Sequence, residues 1–203
     1  MFLNILSEEQ QALLPFIESF KKNYILVGGT AIALQIGHRK SIDFDLFSTK
    51  PIKKNEIKKA ISTLQFNKQL LFEDAEGIHY LINNVKVTFF YYPFNIIPEI
   101  NITKNVRIPS LLTLAAMKFY AMGRRAKWKD YVDIYFLLKN NFSISQVSKQ
   151  ADEIFVEAFS EKLFRQQLVY FEDIDYTEKI EWVNHEVSDD IIKKELADLA
   201  LTF

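Results

Sequence analysis

The chain has 203 residues, with 25 basic and 26 acidic side chains, a net charge of −1 and 49% hydrophobic residues, a composition that argues for a real core and against disorder. Cysteine is absent, which excludes disulfides, cysteine-ligated zinc, iron–sulfur clusters and thiol nucleophiles. The only histidines, His38, His79 and His185, are too widely spaced to suggest a His-rich metal site.

In chain order, the spacing of Ala12, Leu13, Phe16, Ile17 and Phe20 predicts a helix over Ser7–Lys22, capped by Ser7 and interrupted or kinked at Pro15. Tyr24–Val27 reads as a short strand. Gly28-Gly29-Thr30 breaks it, and a short helix over Ala31–Ile36 ends at Gly37. Ile42–Phe47 alternates as a second strand, and Lys53–Leu64 is an amphipathic helix. Gln69–Phe72, His79–Ile82 and Val85–Tyr92 are apolar runs of strand type, the last two joined by an Asn83-Asn84 hairpin turn. Another strand is expected near Ile102–Ile108. After Pro109 the pattern turns helical: Ser110–Met122, Trp128–Lys139, Ile144–Phe159, Glu161–Phe171 and Ser188–Leu199. The layout is α+β, a small mixed sheet in residues 1–109 followed by a helical part in residues 110–203. No apolar run reaches the roughly 18–20 residues of a membrane helix. Met1–Gln10 carries acids and lacks a basic leader stretch, so the expected compartment is the cytoplasm.

The small net charge hides an asymmetry. Ile100–Lys129 holds seven basic residues and no acid, whereas Ala151–Phe203 holds 14 acids against five bases. A basic segment suits a polyanionic ligand, and it equally suits charge balance between neighbouring helices.

Three constellations could carry chemistry. In the first, Val27-Gly28-Gly29-Thr30 precedes Asp43-Phe44-Asp45. Strand alternation puts both aspartates on one face and Phe44 and Leu46 on the other. Two like charges on one face are relieved by a hard cation such as Mg²⁺, which also takes phosphate oxygens. Glycines beside a helix start leave backbone N–H groups open to a phosphate. The alternative is a solvated strand edge with a tight turn. In the second, Lys118 and the run Gly123-Arg124-Arg125-Ala126-Lys127-Trp128-Lys129-Asp130 lead to Asp133. The i, i+4 spacings of Arg125 with Lys129 and of Lys129 with Asp133, and the i, i+3 spacing of Asp130 with Asp133, predict shared helix faces. These residues either offer cations to a phosphate or form ordinary surface ion pairs. In the third, Tyr80 and Phe89-Phe90-Tyr91-Tyr92 could stack on bases, although core packing is the more frequent role. His38-Arg39-Lys40 reads equally as a phosphate contact or a solvated loop.

Taken together, Tyr24–Ser48 (YILVGGTAIALQIGHRKSIDFDLFS), Lys86–Phe94 (KVTFFYYPF) and Ala115–Leu138 (AAMKFYAMGRRAKWKDYVDIYFLL) resemble the AbiEii/AbiGii toxin family of nucleotidyltransferases, similar in fold to DNA polymerase β-type enzymes. The resemblance implies that Gly28, Gly29 and Thr30 grip a triphosphate and that Asp43 and Asp45 bind Mg²⁺. It matches Lys118, Lys129, Asp130 and Asp133 to the basic and acidic positions of the later helices. On this reading Asp43, Asp45, Lys118, Lys129 and Asp130 are catalytic. Arg124 and Arg125 join the nucleotide-binding residues, and the four cations Lys118, Arg124, Arg125 and Lys129 face the aspartates' cleft. The implied activity is Mg²⁺-dependent transfer from an NTP to an acceptor such as tRNA or another RNA, by the toxin of a toxin–antitoxin or phage-defence pair. The implied partner is an antitoxin protein. One position departs from the pattern. Thr88 stands where polymerase β-type enzymes carry a third carboxylate, and a hydroxyl is a poor metal ligand and a poor base. Asp130 or Asp133 would have to replace it. Otherwise the chain is a nucleotide-binding interaction protein without transfer chemistry, or a purely structural partner of an antitoxin that docks through its acidic C-terminal half.

Overall fold

The structure is a computed structural model that describes residues 1–122 and 124–202; Gly123, part of the basic run, lies outside them. Its contacts form two compact units, residues 1–37 with 41–109, and residues 38–40 with the chain from Ser110 onward.

In the first unit, α1 (Glu8–Glu18) starts with a capping box in which the Ser7 hydroxyl accepts from Gln10 N and the Gln10 side chain accepts from Ser7 N. It contains Pro15 and is shorter than the pattern predicts, because residues 19–24 wind on as turns closed mostly by i−3 bonds. β1 (Ile25–Val27) runs straight into α2 (Gly28–Ile36), so the helix starts at the glycine pair rather than at Ala31. Gly28, with φ +74, turns the chain there in a conformation that a Cβ would strain. Gly37 closes α2 in the left-handed region, as expected.

β2 (Phe44–Ser48), α3 (Lys54–Ser62), β3 (Lys68–Glu73), β4 (Gly77–Ile82) and β5 (Val85–Tyr91) complete the unit's main elements. The sheet order is β1-β2-β5-β4-β3. β2 and β5 are parallel and the other neighbours antiparallel, so the sheet is mixed. Asn83 and Asn84 both have positive φ, the geometry of a two-residue hairpin turn. Phe44, Leu46, Val87, Phe89 and Ile78 form the buried side of the sheet. Phe16, Phe20 and Tyr24 meet Phe89 edge-on at 4.7–6.4 Å, so Phe89 belongs to the core. β3 forms one edge of the sheet. Leu70, Leu71 and Phe72 are 44–55% exposed there, and the pairing shifts register between Leu70 and Phe72. The single strand expected near residues 102–108 is instead a small hairpin of β6 (Ile100–Asn101) and β7 (Arg107–Ile108), turned by an Ile102 N to Val106 O bond of 2.8 Å.

The second unit is helical: α4 (Leu111–Met122), α5 (Trp128–Asn140), α6 (Ile144–Phe155), α7 (Glu161–Leu168) and α8 (Asp189–Leu201). α6 stops before the expected Phe159 because Val156 has φ +49, outside the helical region, and a short 3-10 turn follows. Stacked Phe119–Phe164 and Tyr120–Phe155 rings, 3.6 and 4.1 Å apart, join α4 to α7 and α6. Residues 38–40 are held to this unit by Lys40 N to Glu181 O, 2.7 Å, and Val183 N to His38 O, 3.4 Å. Among the described residues no helix is long and apolar enough to cross a membrane.

Candidate active site

In the first unit, β2 begins at Phe44, one residue after Asp43, and the alternation of buried and half-buried residues runs from Asp43 to Ser48, breaking at Ile42, which is exposed. Asp43 and Asp45 are half-buried, while Phe44 and Leu46, at 0% and 2% exposure, point into the core. Both carboxylates therefore leave the same face of the chain. Asp45 is paired with Val27 on β1, next to the Gly28 turn. A Cβ on Gly28 would overlap the Asp45 carboxylate. The glycine thus serves both the turn's φ and the close approach of an acid to the first turn of α2, where backbone N–H groups lack intrahelical partners. Thr30 differs from its expected role as a phosphate contact. Its hydroxyl is buried, donates to Asp43 O, and lies 3.0 Å from Ser41 Oγ. It braces the aspartate-bearing segment from behind, aided by Gln10 Nε2 donating to Ser41 O at 2.9 Å. Gly28 and Asp45 are brought together, with Gly29 and Asp43 close to them along the chain; the Thr30 hydroxyl is taken up by the Ser41–Asp43 segment instead.

Two carboxylates on one face fit a hard divalent cation whose other positions are filled by phosphate oxygens. Among the described residues no three His, Asp or Glu side chains converge to hold a metal by themselves, so a cation here would depend on oxygens from a ligand. Thr88, on β5, is the in-register neighbour of Asp45 and is 5% exposed. His79, on β4, is the next neighbour in that row, with Nδ1 3.1 Å from Thr88 Oγ1. Little in the local sequence marks His79. The hairpin does: a two-residue turn at Asn83-Asn84 opposes Ile82 to Val85, and counting back along both strands opposes His79 to Thr88.

In the second unit, the later candidates form a buried ionic network. Asp133, with a fully buried side chain, accepts from Arg39 Nε at 2.7 Å and Nη2 at 2.9 Å, and lies 2.7 Å from His38 Nε2 and 2.8 Å from Lys118 Nζ. Lys118 also pairs with Asp130, which accepts from Arg125 Nε at 2.8 Å. Burial pushes the Asp133 carboxyl up, but Arg39, Lys118 and His38 together hold it well below the usual carboxylate range. Asp130 is lowered in the same way: burial opposes, and Lys118 and Arg125 prevail. Burial lowers His38, with Arg39 and Lys118 acting in the same direction and Asp133 opposing. His38 and Arg39 are therefore neither a solvated loop nor a surface phosphate contact; they are 5% and 4% exposed.

The expected helical pairing of Arg125 with Lys129 does not form, because α5 starts only at Trp128 and Arg125 precedes it. Lys129 instead joins Lys127 in pairing with Glu178. Burial pushes Glu178 up, and the two lysines hold it down at about 2. Arg124 lies 3.5 Å from the Tyr120 ring centre and donates to Tyr120 O at 2.8 Å. It also lines a cleft of about 610 Å³ whose walls include Phe159, Gln167 and Tyr170 and carry no carboxylate, so that cleft is no metal site.

Comparison with known proteins agrees with this architecture. A protein of Aquifex aeolicus (strain VF5), the uncharacterized protein aq_aa25, is 29% identical over 175 residues, which are 83% of this chain and 84% of that one. The fold is similar to JHP933 from Helicobacter pylori, with TM-score 0.59 and 18% identity over 96% of this chain and 91% of the other. It is also similar to MenT4, the nucleotidyltransferase toxin Rv2826c of Mycobacterium tuberculosis H37Rv, with TM-score 0.59 and 12% identity over 88% of this chain and 74% of that one. Residues 16–200 match the family model described as nucleotidyl transferase AbiEii toxin, type IV toxin–antitoxin system, and the chain belongs to that family of nucleotidyltransferases.

Proposed function

We propose that this chain transfers a nucleotide from a Mg²⁺-bound NTP to an RNA acceptor, as the toxin of a pair whose antitoxin is a second protein. The observation that carries the reading is the pair Asp43 and Asp45 on one face, with Gly28 packed against Asp45. These two residues would hold the cation, which when bound neutralises charge on the triphosphate. Backbone N–H groups at Gly28 and Gly29 meet phosphate oxygens. Thr30 and Gln10 fix the segment that carries Asp43. In the second unit, Asp130 and Asp133 fix the Lys118 ammonium in one place. Arg124, exposed at the surface, offers a cation to a polyanion.

A second reading, nucleotide binding without transfer, is favoured by Thr88 in place of a third acid. Incubation with total RNA, Mg²⁺ and each labelled NTP separates the two: label in RNA supports transfer, and nucleotide binding without label supports the second. Asp43→Asn with Asp45→Asn is expected to abolish Mg²⁺-dependent NTP binding measured by calorimetry and to leave thermal stability within about 0.5 kcal/mol, since neither side chain fills the core. Unchanged affinity in the double variant would remove both residues from the site.

A further inference from the structure

Asp45 on β2, Thr88 on β5 and His79 on β4 are in-register neighbours across three adjacent strands, so their side chains leave the same face of the sheet. The position where a third carboxylate was expected holds Thr88, whose hydroxyl is bonded to the imidazole of His79 at 3.1 Å. With Nδ1–H donating to Thr88 Oγ1, Nε2 is the nitrogen left with a lone pair. Nε2 lies over Gly77, where a Cβ would come within 3.2 Å of it. The glycine gives the ring its room, and the Phe72 ring flanks it at 5.7 Å between centres.

We propose that His79 is the catalytic base of nucleotidyl transfer in this chain, oriented by Thr88, a pairing that replaces the missing carboxylate. This rests on the transfer reading above. In the step, the acceptor hydroxyl gives its proton to His79 Nε2. Its oxygen forms a bond to the α-phosphorus, and the bond from that phosphorus to the β-bridging oxygen breaks, releasing pyrophosphate. Nothing is oxidised or reduced. A role as a third metal ligand does not fit, because His79, Asp43 and Asp45 do not converge as a ligand group. The charged groups that face the ring are Lys86 on β5, Asp45 on β2 and Asp74 in the turn after β3. Burial lowers the pKa of His79, Lys86 adds to this, and the two aspartates oppose it, which leaves the ring neutral and able to accept a proton at neutral pH.

The test has two arms, and the second does not need turnover. In the first, ³²P-labelled NTP and total RNA are used with wild type and His79→Gln, whose amide can keep a bond to Thr88. The expected result is a kcat lower by about 10²–10⁴-fold with KM for the NTP unchanged. The acidic limb of the pH–rate profile should also be lost. A variant that keeps the wild-type pH profile, or its full rate, overturns the proposal. In the second, imidazole resonances are followed by NMR as Mg²⁺ and an α,β-methylene NTP are added, with calorimetry on the same sample. There are only three histidines, so single substitutions assign the signals. The His79 signal should move on binding and the His185 signal should not. Binding without movement of His79 overturns this proposal and leaves the transfer reading standing. Absence of any binding overturns the transfer reading, and the proposal with it. If His79→Gln fails to fold, the second arm decides alone.

Discussion

Replacing Asp133 by Asn tests whether the ionic network of the helical unit is a structural keystone. The carboxylate takes four close polar contacts from three side chains, at 2.7, 2.9, 2.7 and 2.8 Å, with its own side chain fully buried. An amide keeps one acceptor oxygen and turns an NH₂ toward donors. It also removes the charge that compensates Arg39, whose side chain is 4% exposed and cannot turn to water. Breaking a buried pair in this way costs about 3–5 kcal/mol. In a chain of this size that is a fall in Tm of about 6–20 °C. Asp130→Asn should cost less, because its partner Arg125 is 49% exposed and can be solvated. Urea unfolding followed by far-UV circular dichroism reads the helical unit, and equal m-values would show that only stability has changed. Adding Arg39→Met to Asp133→Asn should restore part of the loss, since it removes the stranded charge. A cost below about 1 kcal/mol for Asp133→Asn, or a larger one for Asp130→Asn, would refute this hierarchy.

Two further perturbations follow from the geometry. Gly28→Ala should destabilise the first unit by about 1–2 kcal/mol through its positive φ. By displacing the Asp45 carboxylate it should also weaken Mg²⁺-dependent NTP binding by about tenfold or more, measured by calorimetry. Acid should destabilise the helical unit in two stages. His38 has a lowered folded pKa, so the unfolded chain binds the extra proton first and stability falls as pH drops below about 6.5. Asp130, Asp133 and Glu178 have lowered folded pKa values too. Their contribution is complete above the ordinary carboxylate range and is lost as pH falls through it, toward about 2 for Glu178. Melting curves from pH 7 to 2 measure both stages, and His38→Phe should remove the first.

The parts of the fold that were legible in the sequence are those set by neighbours in the chain. Ser7 caps α1, Gly37 ends α2, Asn83-Asn84 turns the hairpin, and the alternation around Asp43 and Asp45 sets their shared face. What was not legible depends on distant partners. His38 and Arg39 look like a wet loop because the acid that buries them lies 95 and 94 residues away. Asp130 and Asp133 fit a solvated helix face as well as a buried one, since spacing alone cannot distinguish an inward charge from an outward one. Leu70, Leu71 and Phe72 have the composition of an interior strand, yet the sheet order places them at an edge. The end of α6 turns on one backbone angle at Val156, a residue whose β-branched side chain gives no hint of a positive φ.

The parallel pairing of β2 with β5 has a consequence for how the protein matures. β3, β4 and β5 form an antiparallel meander closed by short turns, the kind of local pairing that forms early. β2 reaches β5 only across α3 and the whole meander, a long loop closure whose entropy opposes it until the other contacts are in place. That late contact is also the one that brings Asp45 beside Thr88. A chain still emerging from the ribosome, or one caught with the meander formed and β2 undocked, has a folded hairpin and no assembled row. For an enzyme of a toxin family, competence then arrives as one of the last events of folding rather than by degrees along the way.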